Sequence, residues 1–490
     1  MSGLLEGYVT GELIHMSYLN TIDGFCAKRK QFCDALKHFH ETNTAFINAM
    51  IKSHANDDYW HQLGLIYDQI RGLEDGYMYW KIDEHVIQES DETNAMSEIW
   101  WLNILNEVYE LEAILTPNST TIPYRDHCSA LVKVLPDGSD LYVAHNTWTT
   151  YKSMLRVLKQ YSFAFNGLTT GALIPGHSVA MSSYPGSVFS GDDYYALSSG
   201  LVVQETTNHV WDASLFARVR PDRVVVEFAR NVVANRLATG GRQWTEIFAR
   251  YNSGTYNNQF MIVDYKRFTM GTPVTQLADD LLWVCEQIPG NVTVADLTTL
   301  LRTTGYYGSY NNPYFKYILD ISGWTDMERK VGTIYNYDKT ARCVIFHREQ
   351  PNVTDMNTLY TFMRYNDFEH DPLSLCSHYN LNCEPDYSSC LTIAGRLDLN
   401  SPTGHYPIGN GHEYSGAIDA KLTNAQMSSE LEMLAVSGPT HRNHPPFRWS
   451  TSGAGADVRH IDHPDVFDFK PIYTKWYPNK WFVADDIIDG

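Results

Sequence analysis

The sequence predicts a mixed α/β fold in which a helical N-terminal segment precedes a domain that contains both strands and helices. Apolar residues recur at helical spacing through most of residues 1–115. At Cys128 the pattern changes to that of β-strands. From residue 200 onward, strand-like and helix-like runs are mixed. These three observations define the fold class before any motif is considered.

The composition indicates a folded protein without a membrane-spanning helix. Of its 490 residues, 43% are hydrophobic and 13% are aromatic, unlike a disordered chain. Because no run of about 18 apolar residues occurs, we expect no transmembrane helix. The net charge of −20 argues against a nucleic acid partner. Protonation of the 19 histidines would offset most of this charge, which suits a compartment near pH 5.

Three amphipathic stretches predict the N-terminal helices. Apolar side chains recur every three or four residues over 36–50, 60–70 and 99–111. Residues 116–126 then form a polar segment with two prolines. Such a segment predicts an exposed linker.

A β-hairpin is predicted directly after this linker. Residues 128–135 and 141–148 have the composition of strands, and residues 136–140 have that of a turn. Each strand carries one side chain of interest for catalysis, Cys128 and His145.

Strands and helices are predicted in mixture farther along the chain. The valine-rich runs 201–204 and 224–228 predict strands. Residues 232–237 and 244–250 predict helices. Residues 251–265 contain a Gly- and Asn-rich turn between apolar flanks.

Several widespread catalytic motifs are absent from the sequence. It contains no G-x-S-x-G, H-E-x-x-H, G-x-x-x-x-G-K-[ST] or G-x-G-x-x-G string. Two groups of potential metal ligands occur, but their spacing fits structural zinc poorly, so we expect no metal and no cofactor. These groups are His460 with His463, and Cys376, His378, Cys383 and Cys390. In an oxidising compartment, a disulfide among the cysteines is the better expectation.

Cys128 is the most informative residue of the sequence. It stands at the first position of a predicted strand, directly after an exposed linker. Cutting the chain before such a cysteine frees an α-amine of ordinary pKa about 7.7–8, which can act as base for the thiol of the same residue. This is the design of N-terminal nucleophile hydrolases, which have an αββα sandwich. The alternative is that Cys128 is a small buried apolar residue.

The hairpin also brings a histidine close to Cys128. With a turn centred near Asp137, His145 returns to within about two pairing positions of Cys128, which corresponds to roughly 5–8 Å. A histidine there can orient the α-amine or polarise the thiol or the substrate. The alternative is a buried structural histidine with satisfied hydrogen bonds.

Longer strings resemble the phospholipase B-like family from about residue 11 to near the C-terminus. The most specific strings are residues 127–133 and 140–148, which form the predicted hairpin. Further matching strings are residues 205–207, 230–238, 252–259, 261–266, 363–368, 371–376 and 445–450.

The resemblance implies a glycosylated, lysosomal or secreted hydrolase with the αββα fold of N-terminal nucleophile hydrolases. It further implies that the precursor cleaves itself between His127 and Cys128 and that both pieces stay together. We therefore expect a helical N-terminal fragment, residues 1–127, and an αββα catalytic domain, residues 128–490.

The resemblance also assigns individual residues. Its catalytic residues correspond to Cys128, His145, Trp148 and Thr207. Cys26 and Cys33 match a disulfide of the family. Because residues seven apart in one helix are separated by about 10.5 Å, this pairing requires a turn between them. Three sequons, at Asn118, Asn291 and Asn352, are candidate glycosylation sites.

The sequence departs from the family at its start and at the scissile bond. Family members carry a signal peptide and a further N-terminal segment, and this sequence begins after both, which we interpret as truncation. The residue before the nucleophile is commonly small in the family, whereas here it is His127. That residue lies on the leaving side of the scissile bond.

Three further side chains are candidates for binding the substrate. Asn257 and Asn258 are able to donate to an oxyanion, although asparagines also shape tight turns. Arg236 is a candidate for orienting the substrate or the α-amine, with a structural arginine as the alternative.

These observations leave three functions open. The first is a carboxylic ester hydrolase that removes acyl chains from phospholipids. The second is an amidase acting on N-acyl lipids or peptides, and the third is a catalytically weak lysosomal binding protein. The expected partners are a phospholipid or other acyl lipid and the cleaved N-terminal fragment, and a homodimer is left open.

Overall fold

The computed structural model of the protein describes residues 1–86, 96–116, 128–406, 411–454 and 458–476. It confirms a mixed α/β architecture of helices and antiparallel sheets. The predicted linker lies outside these ranges except for Thr116. The division into two domains at residue 128 stays a prediction.

The described part of residues 1–116 is helical, as the apolar periodicity predicts. Its helices are α1 Ser2–Val9, α2 Gly11–Thr21, α3 Lys30–Ser53, α4 Asp58–Asp83 and α5 Glu98–Leu115. The side chains of Asp57 and Ser97 accept hydrogen bonds from the first turns of α4 and α5 and so fix where these helices begin. The apolar faces of α2 to α5 share a core with Val225, Phe228 and Val233.

Helices α1 and α4 pack with their backbones in contact. A Cβ atom added to Gly76 would lie 2.0 Å from the carbonyl oxygen of Leu4, and one added to Gly7 would lie 2.3 Å from that of Leu73. No side chain fits at these distances, so glycine is required at both positions.

The strands fall into two large antiparallel sheets and one short pair. In chain order they are β1 Cys128–Val134, β2 Leu141–Thr150, β3 Val157–Ser162, β4 Ser178–Ser183, β5 Tyr194–Leu197, β6 Leu201–Thr207, β7 Asn258–Asp264, β8 Leu282–Ile288, β9 Asn291–Asp296, β10 Tyr306–Ser309, β11 Ser415–Ala417, β12 Asp419–Thr423, β13 Leu434–Ser437, β14 Phe447–Arg448, β15 Val466–Phe467 and β16 Ile472–Tyr473. The first sheet has the order β10-β1-β2-β12-β13-β16, with β11 also beside β2. The second runs from β3 to β9 in sequence order, and β14 pairs with β15.

The remaining helices lie between and after these strands. They are α6 Glu227–Leu237, α7 Gly241–Phe248, α8 Thr298–Thr304, α9 Lys316–Ile321, α10 Trp324–Val331, α11 Ala341–Glu349, α12 Met356–Met363, α13 Ala425–Ser429 and α14 Trp449–Ser452. Helices α6 and α7 agree with the predictions for residues 232–237 and 244–250.

The two large sheets share a core. Val132 and Val143 of the first sheet belong to the same apolar cluster as Val202 and Met261 of the second. On the opposite face of the first sheet, α11 and α12 supply apolar side chains. On the opposite face of the second, α6 and α7 do so, and Trp244 is prominent among them. Each sheet is therefore buried on both faces over much of its area.

The predicted strand at residues 224–228 is wrong. Val224 to Val226 are buried but pair with no strand, and α6 begins at Glu227. The backbone N–H of Glu227 donates to Glu107 Oε1 of α5 at 2.9 Å. The buried valines thus precede a helix whose first turn is stabilised by a carboxyl from a distant helix, and a local pattern does not contain that contact.

Two disulfides join cysteines that are seven residues apart. Cys26 pairs with Cys33 across a 3₁₀ turn, Phe25–Lys28, that precedes α3. This is the pairing that the family resemblance implies, with the turn that the spacing requires. Cys376 pairs with Cys383, so these two are not available as thiolate ligands for a metal. Within the described ranges, no helix has the length and apolar character needed to cross a membrane.

Candidate active site

The β1–β2 hairpin places Cys128 and His145 on neighbouring strands. Cys128 pairs with Thr147, and Ala130 pairs with His145. His145 thus lies two positions along from the partner of Cys128, on the same face of the sheet. The register agrees with the offset expected from a turn centred near Asp137.

A third group joins these two side chains. Cys128 Sγ, a ring nitrogen of His145 and a carboxyl oxygen of Asp193 all lie within 4.8 Å of one another, and all three residues are buried. Asp193 precedes β5 and has a φ of 69°, a left-handed conformation that aspartate tolerates. Sequence reasoning missed Asp193, because no motif marks it. Its only local signal is the Gly-Asp-Asp string at residues 191–193.

The hydrogen bond of His145 defines its tautomer. Its Nε2 atom lies 2.7 Å from the carbonyl oxygen of Glu205, which only accepts, so Nε2 carries the proton. The Nδ1 atom has no hydrogen-bond partner among the described residues. Burial, reinforced by the positive charge of Lys421, holds the pKa of His145 well below its ordinary value. The imidazole is therefore neutral and has a lone pair on Nδ1.

Asp193 of this cluster lies beside a second buried carboxyl group, that of Glu205. Burial raises the pKa of Asp193, and burial followed by the neighbouring Asp193 raises that of Glu205. The Tyr256 hydroxyl donates to Asp193 at 2.9 Å, and Asn258 Nδ2 donates to Glu205 at 2.7 Å. At pH 5, where exposed carboxyl groups are mostly ionised, this pair therefore still holds protons.

The backbone of Cys128 is fixed by two side chains from distant parts of the chain. Its nitrogen donates to Asn311 Oδ1 at 2.8 Å, and Asn311 Nδ2 donates to the carbonyl oxygen of Thr207 at 2.8 Å. The Arg342 guanidinium donates to the carbonyl oxygen of Cys128 and lies 5.0 Å from the centre of the Trp148 ring. Asn311 and Arg342 are site residues that sequence reasoning missed. Asn311 has a φ of 70°, and the Asn-Asn-Pro string there signals only a turn.

Cys128 opens into a cavity of about 420 Å³ between the N-terminal helices and the hairpin. Trp148 and Thr207, two of the predicted site residues, also line it. The opposite wall comes largely from α5, including Leu102 and Leu105. A cavity of this size with partly apolar walls is suited to part of a lipid molecule.

The three remaining predicted residues, Asn257, Asn258 and Arg236, are not among the described residues that line this cavity. Asn257 Nδ2 donates to Glu110 at 2.8 Å and to the carbonyl oxygen of Gly254 at 2.9 Å, and Asn258 Nδ2 donates to Glu205 at 2.7 Å. Their role as oxyanion donors stays a prediction. The Arg236 guanidinium lies against the rings of Phe163 and Phe165.

The predicted cleavage and glycosylation sites are only partly visible. His127 and Asn118 lie outside the described residues. Asn352 is exposed at the end of a 3₁₀ turn, and Asn291 is partly exposed at the start of β9. Both positions have room for a glycan, and their modification stays a prediction.

Buried carboxyl groups also connect α5 to the rest of the protein. Glu107 accepts hydrogen bonds from Thr255 and Glu227, and Glu110 accepts them from Tyr256 and Asn257. Burial raises the pKa of Glu107 to about 7 and that of Glu110 to about 8. At pH 5 both carboxyl groups are therefore protonated, and they lie between α5 and residues 255–257, which precede β7.

This contact predicts that the protein is more stable at pH 5 than at pH 8. The Glu110 carboxyl has an ordinary pKa of 4.5 when exposed and about 8 when folded. Its contribution is therefore fully present below pH 4.5 and is lost as the pH rises towards 8. We expect the melting temperature to fall by several degrees between pH 5 and pH 8. Glu110→Gln should reduce this fall, whereas Glu112→Gln, a more exposed change on α5, should not. An equal fall in all three proteins would contradict the assignment.

Comparison with known proteins gives a family and several relatives. The phospholipase B family model matches residues 1–474. Phospholipase B-like 2 of Mus musculus is 40% identical over 482 residues, which are 97% of this chain and 79% of the mouse protein. Its namesake in Homo sapiens is 41% identical over 486 residues, 97% and 80% of the two chains. Phospholipase B-like protein C of Dictyostelium discoideum is 36% identical over 486 residues, 96% and 80% of the two chains.

Proposed function

Because the chain belongs to the phospholipase B family, we propose that it is a hydrolase that removes acyl chains from phospholipids with Cys128 as nucleophile. The observation that carries this proposal is the position of Cys128, at the start of β1 and in the lining of a partly apolar cavity. A hydrolase needs its nucleophile accessible to the substrate, and a lipid needs an apolar wall beside it.

The fold that we infer is the αββα sandwich of N-terminal nucleophile hydrolases. Its support is the shared core between the two large sheets and the helices packed on the opposite face of each. In this inference β1 begins at the catalytic residue. The α-amine of that residue then lies at the edge of the cavity.

Maturation begins with attack of the Cys128 thiol on the carbonyl carbon of His127. The C–N bond breaks, the acyl group moves to sulfur, and the nitrogen leaves as the α-amine of Cys128. Water then hydrolyses the thioester and frees the thiol. Asn311, which accepts a hydrogen bond from this nitrogen at 2.8 Å, is placed to orient the new amine.

The same thiol then acts on the substrate. The α-amine takes the thiol proton, sulfur attacks the ester carbonyl, and the alkoxide leaves with that proton. Water hydrolyses the acyl-enzyme and releases the fatty acid. In this scheme, the neutral His145 orients the reacting groups, and Trp148 and Thr207 line the acyl site.

We further propose that the protein acts in the lysosome or after secretion. Two disulfides suit an oxidising compartment, and the greater stability that we expect at pH 5 suits a lysosome. Glycosylation at the exposed sequons belongs to the same proposal.

The substrate class is tested by comparing an ester with an amide. Purified, processed protein at pH 5 is given phosphatidylcholine and an N-acyl ethanolamine at equal concentrations, and fatty acid release is measured by mass spectrometry. We expect faster release from phosphatidylcholine, and none from either lipid with Cys128→Ala. Faster release from the amide would favour the amidase. No release from either lipid would favour the third function, a catalytically weak binding protein.

A further inference from the structure

We propose that Cys128, His145 and Asp193 together bind a zinc ion, and that bound zinc blocks the nucleophile. The three side chains come from β1, β2 and the loop before β5. Among the described residues, they form the one group of three potential ligand atoms that lie within 4.8 Å of one another. Metal binding stands on this geometry alone, whereas the inhibitory effect rests on the proposed function.

The distances between these atoms fit a metal site after a small adjustment. Zinc lies about 2.0–2.3 Å from its ligands, which places tetrahedral neighbours about 3.3–3.6 Å apart. A contraction of at most about 1.5 Å from the observed 4.8 Å limit is within reach of side-chain rotation. Backbone movement is therefore not required.

The hydrogen bonds around the ligands orient them for a metal. His145 donates from Nε2 to the Glu205 carbonyl at 2.7 Å, while its buried Nδ1 has no partner among the described residues. Metal-bound histidines commonly donate their other ring N–H to such an acceptor. Asp193 is supported in the same way by the Tyr256 hydroxyl, 2.9 Å from each of its oxygens.

The type of ligand selects the metal. One sulfur, one imidazole nitrogen and one carboxyl oxygen suit zinc, whereas calcium and magnesium prefer oxygen alone. Cys128 and Asp193 also line the cavity, which gives the ion a path from solvent and leaves a fourth position for water. Three protein ligands with one open position is a common arrangement for exchangeable zinc.

The bound ion would remove the thiol from catalysis. Zinc takes the place of the proton on Cys128, which is released to solvent, and a sulfur lone pair forms the metal–sulfur bond. A sulfur held in this way no longer attacks an ester carbonyl. Removal of zinc by a chelator restores the thiol.

The test uses cobalt(II) as a spectroscopic substitute for zinc in the purified full chain. We expect a near-ultraviolet sulfur-to-cobalt charge-transfer band that grows to one equivalent and is lost on addition of zinc. Cys128→Ala should abolish the band, and Cys343→Ala, which removes a partly exposed thiol elsewhere, should leave it unchanged. A band that survives in Cys128→Ala, or no band in the parent protein, would overturn the site.

Two further measurements distinguish loss of a metal ligand from loss of the fold. Tyr256→Phe, which retains Cys128 and removes the hydroxyl donor to Asp193, should weaken zinc binding roughly 10–100-fold. An unchanged affinity would count against Asp193 as a ligand.

Fatty acid release should fall on addition of zinc and return with a chelator. Stimulation by zinc would overturn the inhibitory role, whereas a charge-transfer band in a protein that shows no hydrolysis even when free of metal would uphold the site and refute the proposed function.

Discussion

Cys128→Ala is expected to abolish both chain cleavage and lipid hydrolysis. The parent protein should yield associated fragments of about 14 and 41 kDa, the shares of its 55.9 kDa that correspond to residues 1–127 and 128–490. The variant should remain one band, because the attacking thiol is gone. Loss of a nucleophile lowers turnover by up to about 10⁶-fold, so fatty acid release should fall to background.

The contacts of Cys128 make this variant a clean test. Asn311 and Arg342 bind its backbone nitrogen and oxygen, which alanine retains. The fold should therefore tolerate the change, and a melting curve checks that it does. Cys343→Ala is the matched control and should be cleaved normally. Normal cleavage in Cys128→Ala would exclude self-processing by this residue.

His145→Gln is expected to lower turnover by roughly 10²-fold, the loss that a misplacement of the reacting groups by about 1 Å produces. Glutamine is able to place an N–H near the position of Nε2 and so to maintain the hydrogen bond to the Glu205 carbonyl. It lacks the imidazole lone pair on Nδ1. Its melting temperature should therefore stay near that of the parent protein while turnover per processed molecule falls.

His145→Ala separates this role from a structural one. The imidazole is fully buried and joins the two sheets through its 2.7 Å contact with Glu205. Truncation leaves that carbonyl unsatisfied, which costs on the order of 1–3 kcal/mol. We expect both activity and melting temperature to fall in this variant. Parent-like turnover in His145→Gln would show that the histidine is structural.

The hairpin was predictable because its determinants are local. The short turn at residues 136–140 fixes the register, and the register fixes the offset between Cys128 and His145. The helices of the N-terminal part were predictable from periodicity for the same reason. Both patterns lie within a few consecutive residues.

Asp193, Asn311 and Arg342 were not predictable, because packing brings them to Cys128 from distant parts of the chain. Asn311 and Arg342 reach Cys128 across 183 and 214 residues of sequence. Asp193 approaches from the second sheet, whose position over the first depends on the shared core. Glu107 and Glu110 have charged side chains that a sequence pattern assigns to solvent, yet both are buried against Thr255 and Tyr256. Only the tertiary structure reveals their partners.

In the sequence, residues 117–127 separate helix α5, which forms one wall of the cavity, from Cys128, the proposed nucleophile. Helix α5 contributes Leu102 and Leu105 to the wall, while Cys128 contributes the thiol. Substitutions in α5 are thus able to alter the shape of the proposed acyl site without altering the proposed nucleophile. Sequence drift in the first 116 residues is therefore a route to a new substrate preference that leaves the proposed reaction unchanged.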